Sequence, residues 1–281
     1  MRQESFKTDQ AAITIFLDGP LWNNLPTATL GGFRSRNAKA GQTVLSQAID
    51  FARTNGVGQI IGPMEGDTWH SYRFVTDSDG SPPFLMEPTN QAHELDVFKL
   101  AGFRQIGSYF SARVPLEQMS ASKPTPTDEF KIEIWDGKDA EGMFQQVYDL
   151  SVAAFANNPF YKAITRNAFM AMYMPIVPLI RKDLVLFARK PDGALTGFLF
   201  GIPNYAEAQT PKSVILKTYA SLTKGAGRHL SHTFHKAAAK SGFQTAIHAL
   251  IHDDNLSALR SAAEGAEVFR RYGLFGLRLN G

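Results

Sequence analysis

Residues 213–230 read SVILKTYASLTKGAGRHL, an apolar strand that runs through the turn Gly225-Ala226-Gly227 into a helix. Glycine adopts backbone angles that are closed to other residues and lets a ligand approach the main chain. The first turn of the following helix offers backbone N–H groups without partners and the positive end of the helix dipole. The segment therefore predicts a site for a phosphate or pyrophosphate. The alternative is that both glycines only shape a tight connection, because a lone Gly-x-Gly is weak evidence.

Two common nucleotide-binding motifs do not match this segment. The dinucleotide fingerprint requires a third glycine and an acidic residue about 20 positions downstream. Here Leu230 stands at the third position, and Asp253 and Asp254 follow a second strand. A Walker loop has its lysine after the last glycine, whereas Lys224 precedes Gly225. Nucleotide-dependent oxidoreductase chemistry is therefore disfavoured.

The segment resembles the acetyl-CoA loop of the GNAT family of N-acetyltransferases, Q/R-x-x-G-x-G/A with an aliphatic residue three positions after the last glycine. Gly225, Gly227 and Leu230 match this pattern, whereas Leu222 replaces the Gln or Arg. The resemblance implies an α/β fold with a mixed, mainly antiparallel central sheet flanked by helices. The order of elements agrees with it: a hairpin over 183–188 and 194–201, a helix over 228–240, a strand over 244–252 and a closing strand over 267–279.

A stretch rich in proline and poor in apolar residues, 116–128, predicts a linker. On both sides of it a helix and a strand recur in the same order. The helical segments 41–56 and 227–242 both lie between glycines 15 positions apart. We therefore predict two GNAT-like domains in tandem, residues 1–115 and residues 129–281.

The N-terminal copy lacks the glycine turn. When Gly41 is aligned with Gly227, Lys39 stands at the place of Gly225. We therefore expect a degenerate N-terminal half and one acetyl-CoA site, in the C-terminal half.

The resemblance also implies which residues bind the cofactor. Backbone N–H groups of the strand before the loop would receive the thioester carbonyl and the pantetheine arm, and loop amides would hold the pyrophosphate. Lys224 and Arg228 would add positive charge, although such side chains are equally common on a solvated helix face. The predicted acetyl-CoA residues are Tyr219, Ala220, Ser221, Leu222, Thr223, Lys224, Gly225, Ala226, Gly227, Arg228, His229 and Asn255.

Catalytic groups are less explicit in the sequence. An aligned, deprotonated amine attacks a thioester directly, so no nucleophilic side chain is needed. Many relatives place a catalytic tyrosine on the last helix, where residues 261–263 here read Ser-Ala-Ala. Period-two alternation places His248 and His252 on one face of their strand, and histidine titrates near neutral pH. His252 and Tyr272 are therefore the catalytic candidates, the alternatives being a structural histidine at the strand end and a core tyrosine.

Aromatic residues provide the candidate acceptor site. Phe160, Tyr161 and Tyr173 lie where family members build the acceptor wall, and Trp69 lies in a loop rich in Trp, His, Tyr and Arg, a composition often found in ligand-binding loops. The alternative for all four is burial, in the core or between the two halves. We expect an acetyl-CoA-dependent N-acetyltransferase acting on a primary amine of a small molecule. The alternative is a non-catalytic protein that binds CoA or senses a ligand.

Composition excludes several functional classes and binding partners. With 29 basic and 26 acidic residues, the net charge of +3 is too small for a nucleic-acid-binding protein. The absence of cysteine excludes disulfides and thiolate metal sites, and we expect no metal. The longest apolar run, 169–180, contains two prolines and is shorter than the span of about 20 residues that crosses a bilayer. We therefore expect a cytoplasmic monomer or homodimer that contacts neither nucleic acid nor membrane.

Overall fold

The computed structural model describes residues 2–118 and 124–279, so that residues 119–123 of the predicted linker lie outside it. The described helices are α1 Ala38–Thr54, α2 Ala92–Leu100, α3 Ala140–Phe155, α4 Arg166–Tyr173, α5 Ala226–Lys240 and α6 Leu256–Ala263. The described strands are β1 Gln3–Lys7, β2 Ala11–Phe16, β3 Ala28–Ser35, β4 Gln59–Gly62, β5 Phe74–Ser78, β6 Arg104–Pro115, β7 Lys131–Ile134, β8 Val185–Arg189, β9 Leu195–Pro203, β10 Ser213–Ser221, β11 Thr245–His252 and β12 Glu267–Arg278.

Within these residues the twelve strands form one sheet, in the order β1-β2-β3-β4-β12-β6-β11-β10-β9-β8-β7, with β5 also paired to β12. Two neighbouring pairs are parallel, β3 with β4 and β10 with β11, and the other pairs are antiparallel. The predicted fold class, a mixed and mainly antiparallel sheet flanked by helices, is confirmed. Among the described residues, no helix has the length and apolar character needed to cross a bilayer.

The two halves exchange their last strands. β12 pairs with β4 of the N-terminal half, from Phe275 opposite Gly62 to Arg278 opposite Gln59. β6 pairs with β11 of the C-terminal half, and β6 and β12 also pair with each other at the centre of the sheet. The sequence predicts one sheet for each half, whereas the structure joins both into one. The division at residues 116–128 stays a prediction.

The helix after the glycine turn is fixed to the sheet by a buried apolar face. Leu230, Phe234 and Ala238 of α5 are fully buried over strands β8 to β10. Phe234 lies directly over Gly201 of β9, where a Cβ atom would stand 2.1 Å from Cε2 of the phenylalanine ring. This close contact between helix and strand fixes the position of the N-terminus of α5.

The first turn of α5 differs from that of its N-terminal counterpart, α1. The side chain of Asn37 caps α1 by accepting a hydrogen bond from the Ala40 amide at 2.9 Å. Gly225, the N-cap of α5, has no side chain to do so and has a left-handed φ of 87°. Among residues 2–118 and 124–279, no acceptor contacts the amides of Gly225 and Gly227. These N–H groups therefore remain available to an anion.

Candidate functional site

A cleft opens between β10 and β11. The two strands pair in parallel from Ser213 opposite Thr245 to Leu216 opposite His248, and pairing between them ends there. Beyond that level β10 pairs only with β9, after a bulge at Lys217. The backbone of β10 beyond the bulge therefore presents an edge towards the cleft that is not paired to β11.

The loop between β10 and α5 is anchored on one side. The amide of Leu222 donates to the carbonyl of Thr196 at 2.9 Å, and the hydroxyls of Thr223 and Thr196 form a hydrogen bond. Gly225 faces open space, so that its left-handed backbone is the reason for glycine there. A side chain at Gly227 would collide with Arg260 of α6, since a Cβ atom would stand 2.3 Å from its Nη1.

Arg260 is a site residue that the sequence analysis missed. Its guanidinium lies against the first turn of α5, and it lies close to the phenol of Tyr219 on β10. Burial raises the pKa of Tyr219, while hydrogen bonds with Arg260 and Ser257 oppose that rise. The two side chains thus bridge the cleft from β10 to α6. The sequence did offer one signal, because Arg260 is the only arginine of the helix that begins after Asn255.

The predicted cofactor residues lie together, with one exception. Residues 219–228 form the end of β10, the loop and the first turn of α5, and Asn255 caps α6, where its side chain accepts from the Ser257 amide at 3.3 Å. His229 instead packs edge-on against Phe130, and its Nε2 lies 3.1 Å from the carbonyl of Thr125. His229 therefore contacts the end of the linker. A role for each of these residues in binding acetyl-CoA stays a prediction.

The corresponding opening in the N-terminal half is narrowed by its own chain. β3 and β4 pair in parallel only as far as Thr29 opposite Ile61. The amide of Met64 then donates to the carbonyl of Leu30 at 2.6 Å, and Glu65 packs onto Gly31, where a Cβ atom would stand within 3 Å of it. This packing narrows the opening between β3 and β4, and a small pocket lined by Gly31, Pro63 and Glu65 remains beside it.

His248 and His252 lie on opposite faces of the sheet, so the prediction that they share one is wrong. On β6 their partners are Ala112 and Tyr109, which point to opposite faces because they are three residues apart. β11 contains a bulge between His248 and Ile251, and the extra residue inverts the alternation.

His252 packs edge-on against Tyr109, with ring centroids 4.9 Å apart. Its Nδ1 accepts a hydrogen bond from the Asp254 amide at 3.1 Å. The neutral ring consequently carries its proton on Nε2. This arrangement favours the structural alternative, and a catalytic role for His252 stays a prediction.

His248 belongs to a buried cluster beneath α5. Its Nε2 lies 3.0 Å from Nε2 of His235, and its Nδ1 lies 2.8 Å from Oγ of Ser261. The hydroxyl of Ser231 donates to Glu264 at 2.9 Å. Burial lowers the pKa of both histidines, that of His248 to about 4, so both are neutral at pH 7. Donor atoms of the two histidines and Glu264 lie within 4.8 Å of one another, a set that could hold a divalent metal.

Tyr272 lies in the interior of the sheet. Its side chain is fully buried, and its hydroxyl forms hydrogen bonds with Glu87 and with Ser111, the latter at 2.9 Å. Burial raises the pKa of this phenol. Glu87 also pairs with buried Arg270 at 2.8 Å. These contacts favour the core alternative for Tyr272.

The four predicted acceptor residues divide between two clusters. Trp69 packs against Tyr161 and Phe169, with ring centroids 6.1 and 5.7 Å away, and donates from Nε1 to the carbonyl of Lys162 at 2.9 Å. Tyr173 stacks on Phe144 in the same core region. Phe160 belongs instead to the cluster of Tyr72 and Tyr109. Trp69 thus contacts the other half, as the alternative reading expected, and Phe160 lies on the face of the sheet that carries His252.

Two cations near the cleft were also missed. Arg73 packs against the rings of Tyr72 and Tyr109, its Cζ 3.8 and 4.0 Å from their centroids. Lys217 is the extra residue of the β10 bulge and is partly buried. Burial, with a contribution from the charge of Arg73, lowers the pKa of Lys217 to about 8. Only the fold brings together these residues, which are 144 positions apart in the sequence.

Comparison with known proteins supports the fold. No family model matches the chain, and no curated protein matches it in sequence. The chain is similar to a solved GCN5-related N-acetyltransferase from Sphaerobacter thermophilus, with 13% identity and a TM-score of 0.59 over 96% of this chain and 76% of that one. It is also similar to a tandem GNAT protein from the clavulanic acid biosynthesis pathway, with 12% identity and a TM-score of 0.57 over 99% and 83% of the two chains. A probable N-acyltransferase from Enterococcus faecalis V583 gives 10% identity and a TM-score of 0.56 over 96% and 59%. The chain therefore has the GNAT fold in its tandem form.

Proposed function

We propose that this chain, which has the tandem GNAT fold, is an acetyl-CoA-dependent N-acetyltransferase acting on a primary amine of a small molecule. One observation carries the proposal: β10 and β11 separate beside a helix that begins at a glycine turn. The cleft leaves an edge of β10 that is not paired to β11 and that lies next to uncapped helix amides. Together these features suit a long ligand with an anionic end.

The residues present fit such a ligand. The amides of Gly225 and Gly227 and the guanidinium of Arg260 would hold the pyrophosphate, and Gly227 lets it approach because it has no side chain. The edge of β10 beyond Lys217 would bind the pantetheine arm by main-chain hydrogen bonds. Arg260 and Tyr219 now bridge this space, so binding requires them to move. Arg260 is long and flexible, which makes that movement easy.

Acetyl-CoA, when bound, supplies an acetyl group activated as a thioester. The acceptor nitrogen forms a bond to the carbonyl carbon while the C–S bond breaks, the nitrogen loses one proton, and the CoA thiolate gains one. The chain's own contribution is to align the amine and to donate hydrogen bonds to the oxygen as it becomes negative. Backbone amides of β10 near Tyr219 and Ala220 would provide those donors.

Thermal denaturation with acetyl-CoA, CoA and NADH in parallel tests the binding step. A ligand specific for the folded state raises its stability by about 2.7 kcal/mol at a hundredfold excess over Kd. Stabilisation by both CoA species and not by NADH is expected, followed by consumption of acetyl-CoA with an amine panel. Binding without turnover would favour the non-catalytic alternative. No stabilisation by either CoA species would refute the proposal.

A further inference from the structure

The guanidinium of Arg73 is buried without a counter-charge. Only 7% of the residue is exposed, and its Nε has no hydrogen-bond partner. One Nη donates to the hydroxyl of Tyr72, and the rings of Tyr72 and Tyr109 both pack against the guanidinium. Burial raises the pKa of Tyr109, so its hydroxyl is neutral and does not balance the charge. A buried cation in this state is costly unless an anion accompanies it.

Two carboxylates of the neighbouring segments, Asp67 and Glu87, are engaged elsewhere, and a third, that of Glu65, lines a pocket together with Arg73. Asp67 accepts from the Trp69 amide at 2.9 Å and contacts His70 at 2.8 Å. Glu87 pairs with Arg270 and with Tyr272. Throughout residues 2–118 and 124–279, no carboxylate forms an ion pair with Arg73 or Lys217. The charge that would balance them is therefore not supplied by the described chain.

The backbone holds both cations in unusual positions. Arg73 has a φ of 89°, a conformation that residues with side chains rarely adopt, and its amide donates to the Pro63 carbonyl at 3.0 Å. Lys217 occupies a bulge at the level where β10 and β11 part. Tyr109, whose ring centroid lies 4.0 Å from Cζ of Arg73, contacts His252 at the end of β11. Both cations thus lie at the cleft, on strained or irregular backbone of the kind often found at binding sites.

We propose that the acceptor amine carries a carboxylate or phosphate group, which Arg73 and Lys217 bind at the point where β10 and β11 separate. This inference rests on the proposed acetyl transfer. The planar fork of Arg73, with its free Nε, suits two oxygens of one anionic group, and Lys217 adds a second charge. The position beside the unpaired part of β10 places the anion close to where the amine must meet the thioester. The acceptor class is accordingly an amino acid or a phosphorylated amine, in preference to a polyamine.

The first test measures anion binding without any turnover. Thermal stability of the full chain is followed while acetate or inorganic phosphate replaces chloride at constant ionic strength. The wild type should be stabilised by at least one of the two, and the result identifies which group fits. Lys217→Met and Arg73→Gln should each lose this stabilisation. Lys190→Met, in the exposed turn between β8 and β9, is the matched control and should keep it. If Arg73→Gln does not fold, the response of Lys217→Met to the two anions is by itself the test of the anion site.

The second test compares acceptors in matched pairs: β-alanine with β-alaninamide, and phosphoethanolamine with ethanolamine. The charged member of at least one pair should have a kcat/KM about 10- to 100-fold higher, the range of a charge-assisted hydrogen bond. Lys217→Met should remove that preference while acetyl-CoA binding is unchanged.

The outcomes separate the two proposals. Acetylation of amines without preference for charge, or anion stabilisation that survives in Lys217→Met, overturns the anionic acceptor and leaves the transferase intact. Anion binding that depends on Lys217 in a protein that does not bind acetyl-CoA supports the anion site and refutes the transferase. Absence of any stabilisation by acetate and phosphate overturns the anion site itself.

Discussion

Gly227 of α5 and Arg260 of α6 touch across the cleft, so closely that a Cβ atom on the glycine would stand 2.3 Å from Nη1 of the arginine. Gly227→Asp should therefore displace Arg260 and place a negative charge where the pyrophosphate is proposed to bind. An acidic residue in the first turn suits the helix dipole, so the fold should persist. The expected result is loss of the thermal shift with acetyl-CoA. Ala239→Asp, at an exposed position in the last turn of the same helix, should retain that shift.

Arg260 itself provides a second test. Arg260→Gln keeps a side chain of similar length but removes the charge that faces the first turn of α5. Loss of a hydrogen bond between charged groups should weaken acetyl-CoA binding about 10-fold or more. Isothermal titration calorimetry measures this change, with exposed Arg53→Gln as the control. Equal affinities for the two variants would remove Arg260 from the proposed site.

The contact between Gly201 and Phe234 predicts a loss of stability. In Gly201→Ala the new methyl would stand 2.1 Å from the ring of Phe234, which is fully buried. Overpacking of this kind should lower the free energy of unfolding by about 1–3 kcal/mol. Urea denaturation measures it. Adding Phe234→Leu should recover part of the loss, and additive effects of the two changes would show that no such contact exists.

The buried histidine pair predicts how stability depends on pH. The pKa of His248 is lowered to about 4 from its usual 6.5, and that of His235 is also lowered. Below pH 6.5 the unfolded chain therefore takes up protons that the folded chain does not. Stability should fall as the pH drops from about 6.5 towards 4, by about 2 kcal/mol at pH 5 from His248 alone. Burial raises the pKa of Glu264, which opposes part of this fall.

Denaturation measured at several pH values tests this expectation. His248→Asn should flatten the dependence below pH 6.5, because the variant loses one of the two groups that titrate. His93→Asn, which changes a histidine outside the cluster, should leave it unchanged. A steep loss that persists in His248→Asn would assign the pH dependence to other groups.

Lys217 should reduce stability in the absence of ligand. Its pKa is lowered to about 8 from 10.5, so below pH 8 the folded state carries a charge that its surroundings disfavour. Lys217→Met should raise the free energy of unfolding at pH 7 by about 1–3 kcal/mol. For the wild type, stability should increase as the pH rises from 8 to 10.5. A less stable Lys217→Met protein would mean that the ammonium group has a stabilising partner.

Local signals in the sequence were sufficient for the strand-loop-helix unit and for the hairpin around Gly193, because turn glycines and apolar periodicity are local. The helix α3 also has a readable signal, with Met143, Phe144, Val147 and Leu150 buried at helical spacing, although it was not predicted. The face of His252 was not predictable, because alternation fails at a bulge that the residue types do not mark.

Long-range arrangements could not be read from the sequence either. An apolar closing strand was predicted over 267–279, but nothing in its side chains says which half it completes. The position of Arg73 relative to Lys217 likewise depends on the path of a loop in one half and a bulge in the other. Both are decided by tertiary packing, which sequence patterns record only weakly.

The exchange of β6 and β12 also determines when the sheet can be completed during translation. β4 and β6 leave the ribosome early, yet β12, the strand that lies between them, is made about 150 residues after β6 ends. At 5–20 residues per second, two unpaired strand edges would wait roughly 8–30 s for their partner. Such edges invite pairing with other nascent chains. The N-terminal half thus stays incomplete until β12 has been synthesised. Its need for chaperones should be greatest in that interval.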